Sequence, residues 1–93
     1  MKGYTERQST TEVLVYSADY TNALQTSETI SSVNITHTPP SGSALTPTPS
    51  ASGLIGTVLL GPLSVTGRHT LKMQCVGSLG TKPEVLWRIE VSA

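Results

Sequence analysis

Two period-two alternations near the end of the chain constrain the fold more than anything else in it. Leu71, Met73 and Cys75 alternate with Thr70, Lys72 and Gln74. Val85, Trp87, Ile89 and Val91 then alternate with Leu86, Arg88, Glu90 and Ser92. Between them lies Gly77-Ser78-Leu79-Gly80-Thr81-Lys82-Pro83, rich in turn formers. Successive side chains of a strand point to opposite faces, so apolar residues two apart line one face. Two such runs around a turn predict an antiparallel hairpin with one buried face. Trp87, the only tryptophan in a chain without phenylalanine, falls on that face and is predicted to be the largest piece of the core.

The rest of the chain reads as short strands separated by turns. Residues 13–16, running on to Tyr20, predict a first strand with apolar groups on both faces, as in a strand covered on both sides. Residues 23–25 are too few for a stable helix and make at most one turn. A second strand is expected over residues 30–38, with Ser31, Val33 and Ile35 inward and Asn34 and Thr36 outward. Pro39-Pro40-Ser41-Gly42 ends it, because proline cannot donate to a ladder. Residues 39–53 are almost wholly Ser, Thr, Pro, Gly and Ala, and predict a flexible loop or a ragged edge strand near Leu45. Residues 54–60 predict a further strand, with Leu54, Val58 and Leu60 on one side and Ile55 and Leu59 on the other. Gly61-Pro62 breaks it, and residues 63–67 continue as a bulged extension or a corner. Residues 1–11 are polar and aperiodic, and read as an arm, disordered alone or ordered by a partner. Turns at this spacing predict an all-β fold, a small antiparallel β-sandwich or barrel, in one domain over residues 12–93.

Composition excludes several tasks. The 93 residues suffice for one domain, not two. Six acidic and six basic residues give zero net charge, so no basic excess is present to neutralise phosphates, and nucleic acid is not an expected partner. No polybasic run or basic amphipathic helix points to a membrane surface. The longest apolar stretch, residues 54–63, is short and broken by Gly56 and Gly61, too short to span a bilayer. Ser and Thr supply 26 residues while only 13% are charged, so hydroxyls do much of the work of keeping the surface wet. Two readings of that surface stay open: a β-domain that needs little charge, or a surface that packs against other protein.

Candidate chemistry is sparse. Cys75 is the only cysteine, allows no internal disulfide, and falls on the inward face of its strand, as a buried inert thiol does. His37 and His69 have no Cys, His, Asp or Glu at ligand spacing, so no metal site is expected. Glu6, Glu12, Asp19, Glu28, Glu84 and Glu90 are scattered singly, without a pairing that would support acid–base chemistry. Gly53-Leu54-Ile55-Gly56 opens a strand and not a helix, so it is no phosphate loop. Asn34-Ile35-Thr36 matches a glycosylation sequon, read as a chance match because the first residues lack an apolar signal region. Tyr4, Tyr16 and Tyr20 are the aromatic residues that could stack on a sugar, although packing in the core is the commoner fate of such side chains. No catalytic, cofactor-binding or metal residue is assigned, no cofactor is expected, and the chain reads as non-enzymatic.

One resemblance adds to this. Thr11-Glu12-Val13-Leu14-Val15-Tyr16-Ser17-Ala18-Asp19-Tyr20, then Leu24, then Ser27-Glu28-Thr29-Ile30-Ser31-Ser32-Val33, resembles the opening of small Ig-like proteins of tailed bacteriophages. Gly67-Arg68-His69-Thr70-Leu71-Lys72-Met73-Gln74 stands where those proteins have a Gly followed by an alternating strand, and a Gly-containing turn over residues 77–81 precedes the terminal strand. The resemblance implies an Ig-like sandwich and a virion structural role. It points to a capsid decoration or cement protein that binds the major capsid protein through a sheet edge or loop tips and is multimeric on the particle. Such a protein is made in the bacterial host cytoplasm and resides in the virion. Residues 1–11 and the 39–53 loop are the expected contact elements, and removal of residues 1–11 is expected to leave the domain folded. A carbohydrate-binding or host-adhesion module and a tail or head–tail connector component are the alternative readings.

Overall fold

The computed structural model describes residues 2–93, with seven strands and no helix. They are β1 (Lys2–Ser9), β2 (Leu14–Asp19), β3 (Ile30–Thr38), β4 (Ser50–Ser52), β5 (Ile55–Leu60), β6 (Gly67–Gly77) and β7 (Glu84–Ser92). They form a four-stranded sheet in the order β1-β7-β6-β3 and a three-stranded sheet in the order β2-β5-β4. The two sheets pack face to face around one core, so the protein is an all-β sandwich. Separating strands two, five and four from three, six and seven is the Ig-type partition, with the first strand carried to the edge beside the last.

The terminal hairpin forms as its alternation predicts. Strand β6 pairs antiparallel with β7, placing Leu71 opposite Trp87 and Met73 opposite Val85. Leu71, Met73, Cys75 and Ile89 are fully buried, and Val85, Trp87 and Val91 nearly so. Tyr16, Ala18, Tyr20, Val58, Leu60 and Leu63 complete the core from the other side. Residues 20–24 make a turn closed by backbone bonds from Ala23 and Leu24 to the Tyr20 carbonyl, and Leu24 packs against the core.

Several expectations change. The segment read as a polar arm is strand β1 from Lys2 to Ser9, paired parallel with β7; Met1 lies outside the described residues. The sandwich is therefore antiparallel in four of its five pairings and parallel in the fifth. The inward row of β1 carries Tyr4, Glu6 and Gln8 opposite Trp87, Ile89 and Val91, so no apolar alternation marks it. Polar atoms satisfy its burial instead. Gln8 is 2% exposed; its amide donates to the carbonyls of Glu12 (2.8 Å) and Leu60 (3.1 Å) and accepts from the Tyr16 hydroxyl (2.9 Å). Tyr4 stacks on Trp87 at 6.2 Å between ring centroids, and Tyr16 meets Trp87 edge-on at 5.6 Å. Removing residues 1–11 thus strips the core of a strand, and a folded truncated domain is no longer expected.

Strand β2 is not covered on both sides: Val13 and Val15 are 50% and 62% exposed. The register of β3 shifts between Ile30 and Ser32, and this bulge turns Ser31 to solvent, while the unbroken alternation beyond it puts His37 in the inward row with Val33 and Ile35. Of the 39–53 loop, only Ser50–Ser52 pairs, with β5 and not near Leu45. The corner at residue 61 needs glycine: φ is +132°, and a Cβ there would overlap the Glu12 carbonyl oxygen.

Two outcomes test this packing. Gln8→Ala leaves the buried Tyr16 hydroxyl without its acceptor and is expected to cost about 1–3 kcal/mol in urea unfolding. Trp87→Ala is expected to cost about 3–5 kcal/mol in the same measurement.

Candidate functional site

One polar constellation inside the sandwich joins two histidines that are 32 residues apart in sequence. His37 is inward on β3 and His69 inward on β6, 5% and 2% exposed. His37 Nε2 lies 2.9 Å from His69 Nδ1, and the rings are parallel within 3° with centroids 5.1 Å apart. So short an N···N distance at that centroid separation is an in-plane hydrogen bond and not face stacking. The outer nitrogens fix the protons. The Leu45 backbone N–H donates to His37 Nδ1 at 2.9 Å, so that nitrogen is bare and Nε2 carries the proton. His37 Nε2–H then donates to His69 Nδ1, and His69 Nε2–H donates to the Val65 carbonyl at 2.7 Å. The relay runs in one direction with both rings neutral, and every ring nitrogen is used.

The relay fastens two loops to the two strands that carry the rings: the 39–49 segment through Leu45, and the segment before β6 through Val65. Burial, and then the neighbouring His69, hold His37 below the ordinary histidine range. A proton added at His37 Nδ1 would face the Leu45 N–H, so charging the ring breaks the tether.

At the opposite end of β6, Glu28 clamps the 25–29 segment to the β6–β7 turn. Its carboxylate accepts from the backbone N–H groups of Gln25 (2.9 Å), Leu79 (2.9 Å) and Thr81 (3.2 Å). Burial raises its pKa, and these hydrogen bonds, with one from the Thr81 side chain, outweigh burial and hold it below the ordinary 4.5. The carboxylate lies against Gly77, where any Cβ would overlap Oε2. Cys75 is fully buried, and burial, with a smaller contribution from the Glu28 charge, pushes its thiol up, which keeps it protonated and inert.

The tyrosines do not form a platform. Tyr16 and Tyr20 are 4% and 1% exposed, and burial raises both phenols to about 12. Tyr4 alone is half exposed, leaning on Trp87. Asn34 is exposed on β3. Among the described residues no cluster of three or more His, Cys, Asp or Glu could hold a metal ion.

The outer face of the β2-β5-β4 sheet is the other prominent feature. Cross-strand pairing sets Val15 beside Leu59, Ser17 beside Thr57 and Asp19 beside Ile55, with Ser50 and Ser52 continuing the same rows. Val13, Val15, Ile55 and Leu59 are all 44–62% exposed, and Asp19 is the one charged residue in these rows. Of the two expected contact elements, residues 2–9 are built into the other sheet, and residues 39–53 run to the edge of this one.

The histidine pair escaped the sequence reading because a ligand-spacing search looks along the chain. The usable signal was phase: His69 continues the row of Leu71, Met73 and Cys75, and His37 that of Val33 and Ile35. Compared with protein-family models and with curated protein sequences, the chain matches none.

The relay sets a pH dependence. His37 is depressed when folded and ordinary, near 6.5, when unfolded, so the unfolded chain binds the extra proton first as pH falls. Its stability contribution is complete above about pH 6.5 and is lost as pH falls through the folded value. Urea midpoints are expected to drop between pH 7.5 and 5.5, above the range in which Glu28 titrates. His37→Phe, although less stable overall, is expected to flatten that slope.

Proposed function

We propose that the chain is a non-enzymatic structural protein of a tailed-phage virion, a decoration protein that docks on the major capsid shell. The observation that carries this reading is the outer face of the β2-β5-β4 sheet: apolar at Val15, Ile55 and Leu59, with exposed Val13 just before β2, and rich in hydroxyls at Ser17, Thr57, Ser50 and Ser52. An exposed apolar patch of this kind on a small domain marks an interaction surface. Depletion of charge is what distinguishes the centre of a protein–protein interface from the rest of a surface.

The buried polar groups support the same class of function. The histidine pair, Gln8 and Glu28 each spend their hydrogen bonds on the chain's own loops. These contacts stiffen a scaffold. The resemblance to phage Ig-like proteins rests on residues with structural duties here: Glu28 is the clamp, and Thr29 and Ile30 lead from it into β3. The glycan-binding alternative needs an aromatic platform, and two of its three tyrosines are in the core.

Copy number on purified particles, by quantitative mass spectrometry, tests the assignment. Tens to hundreds of copies, in step with the shell lattice, are expected. A count of roughly six or twelve, the multiplicity of a tail or portal ring, moves the protein to the connector, and absence from particles overturns the virion reading. Occupancy of the Val15→Asp/Leu59→Asp variant is expected to fall at least tenfold with its circular dichroism unchanged. Normal occupancy removes this face as the docking surface.

A further inference from the structure

Strand β3 is a free edge of the four-stranded sheet. Unpaired backbone groups on an edge template pairing with another chain, and proteins commonly guard such edges with lysine, proline or other charges. Strand β3 has no charged residue and no proline over its nine residues. The opposite edge, β1, carries Glu6 and Arg7.

The directions of the backbone groups can be worked out. The Cys75 N–H donates to the Pro83 carbonyl across the hairpin, so odd-numbered residues of β6 face β7 and even-numbered ones face β3. Gln74 and Lys72 oppose Asn34 and Thr36. Asn34 and Thr36 therefore spend their backbone bonds on β6, while Val33 and Ile35 direct theirs out of the edge. Among the described residues, no backbone hydrogen bond from outside the sheet reaches residues 30–38.

We propose that β3 is the self-association surface of this protein, pairing antiparallel with β3 of a second copy about a two-fold axis at Asn34. In that register Val33 opposes Ile35 of the second copy, and the two exchange both N–H···O=C bonds. On the inner face the half-buried Val33 and Ile35 then cover each other across the join. On the outer face Ser32 meets Thr36 and Asn34 meets Asn34, all uncharged and able to hydrogen-bond. The strand is thus complementary to itself on both faces, as an isologous contact requires. Sliding by two residues would set Val33 against His37, whose ring belongs to the relay, or Ile35 against Ser31, and either register keeps one apolar pair where this one has two. A slip by one residue would misalign every outward backbone group. Zero net charge leaves no long-range repulsion between copies. A single strand pair is smaller than the standard interface of about 1,600 Å², so the association is weak and suits a protein concentrated on a surface. The proposal does not rest on the virion reading.

Sedimentation equilibrium of the whole chain over micromolar to millimolar concentration tests it. The wild type is expected to rise from monomer to dimer mass, with amide exchange at Val33 and Ile35 slowing as the dimer forms. Asn34→Lys and Asn34→Glu change an exposed side chain and leave the fold intact by circular dichroism. Each sets like charges opposite each other at the axis and is expected to stay monomeric. An equal mixture of the two is expected to restore the dimer. A wild type that stays monomeric throughout, or Asn34 variants that dimerise like the wild type, would overturn the proposal.

Discussion

The contact between the inward row of the terminal hairpin and the facing row of β2 and β5 is what the rest of the molecule hangs on. Strand β6 is paired on both sides, is the longest strand, and presents Leu71, Met73 and Cys75 with no exposure at all. Burial of such side chains is the main favourable term available to a small domain, and each contributes about 1.5–3 kcal/mol. Tyr16, Val58 and Leu60 supply the opposing surface, and Trp87 fills the side of the core next to β1. Every other element is placed by its reach to this contact.

Burial alone does not fix the connections, and polar groups do so at both ends of β6. Near its start, Gln8 and the histidine pair bind the segments at residues 12, 45, 60 and 65. Beyond its end, Glu28 binds the hairpin turn. No buried side-chain polar atom among the described residues lacks a hydrogen-bond partner. A buried polar group is costly unless satisfied, so each of these groups is specific about which loop it will hold and where. The loops of this sandwich are ordered by a few charged or tautomer-fixed contacts, and the two that can titrate make that order sensitive to acid.

The outside of the molecule divides its roles. One sheet offers an apolar face whose rows carry a single charge, Asp19, the other an unguarded edge, and the two lie on different sheets. A protein that used both could pair through β3 while leaving the β2-β5-β4 face open. Pairing two weak docking faces raises their joint hold on a repetitive surface without any new contact. The core row, the buried polar clamps and the exposed rows of the β2-β5-β4 sheet are separate sets of residues, whereas Val33 and Ile35 both pack against the core and lie at the β3 edge.

The sequence by itself determined the all-β class, the β6–β7 hairpin and its buried face, the strand at β5 and the burial of Trp87 and Cys75. These follow from period-two patterning and turn residues, which act over a few neighbours and need no knowledge of the fold. Only the tertiary structure decided that residues 2–9 are a strand, because β1 is held by β7 and by the buried amide of Gln8 and not by an apolar pattern of its own. It alone decided the bulge that turns Ser31 out, the exposure of Val13 and Val15, and the meeting of His37 with His69. A bulge, an uncovered face and a hydrogen bond between residues 32 apart depend on which strands become neighbours. That choice is made by the packing of the whole chain, and no local run of residues contains it.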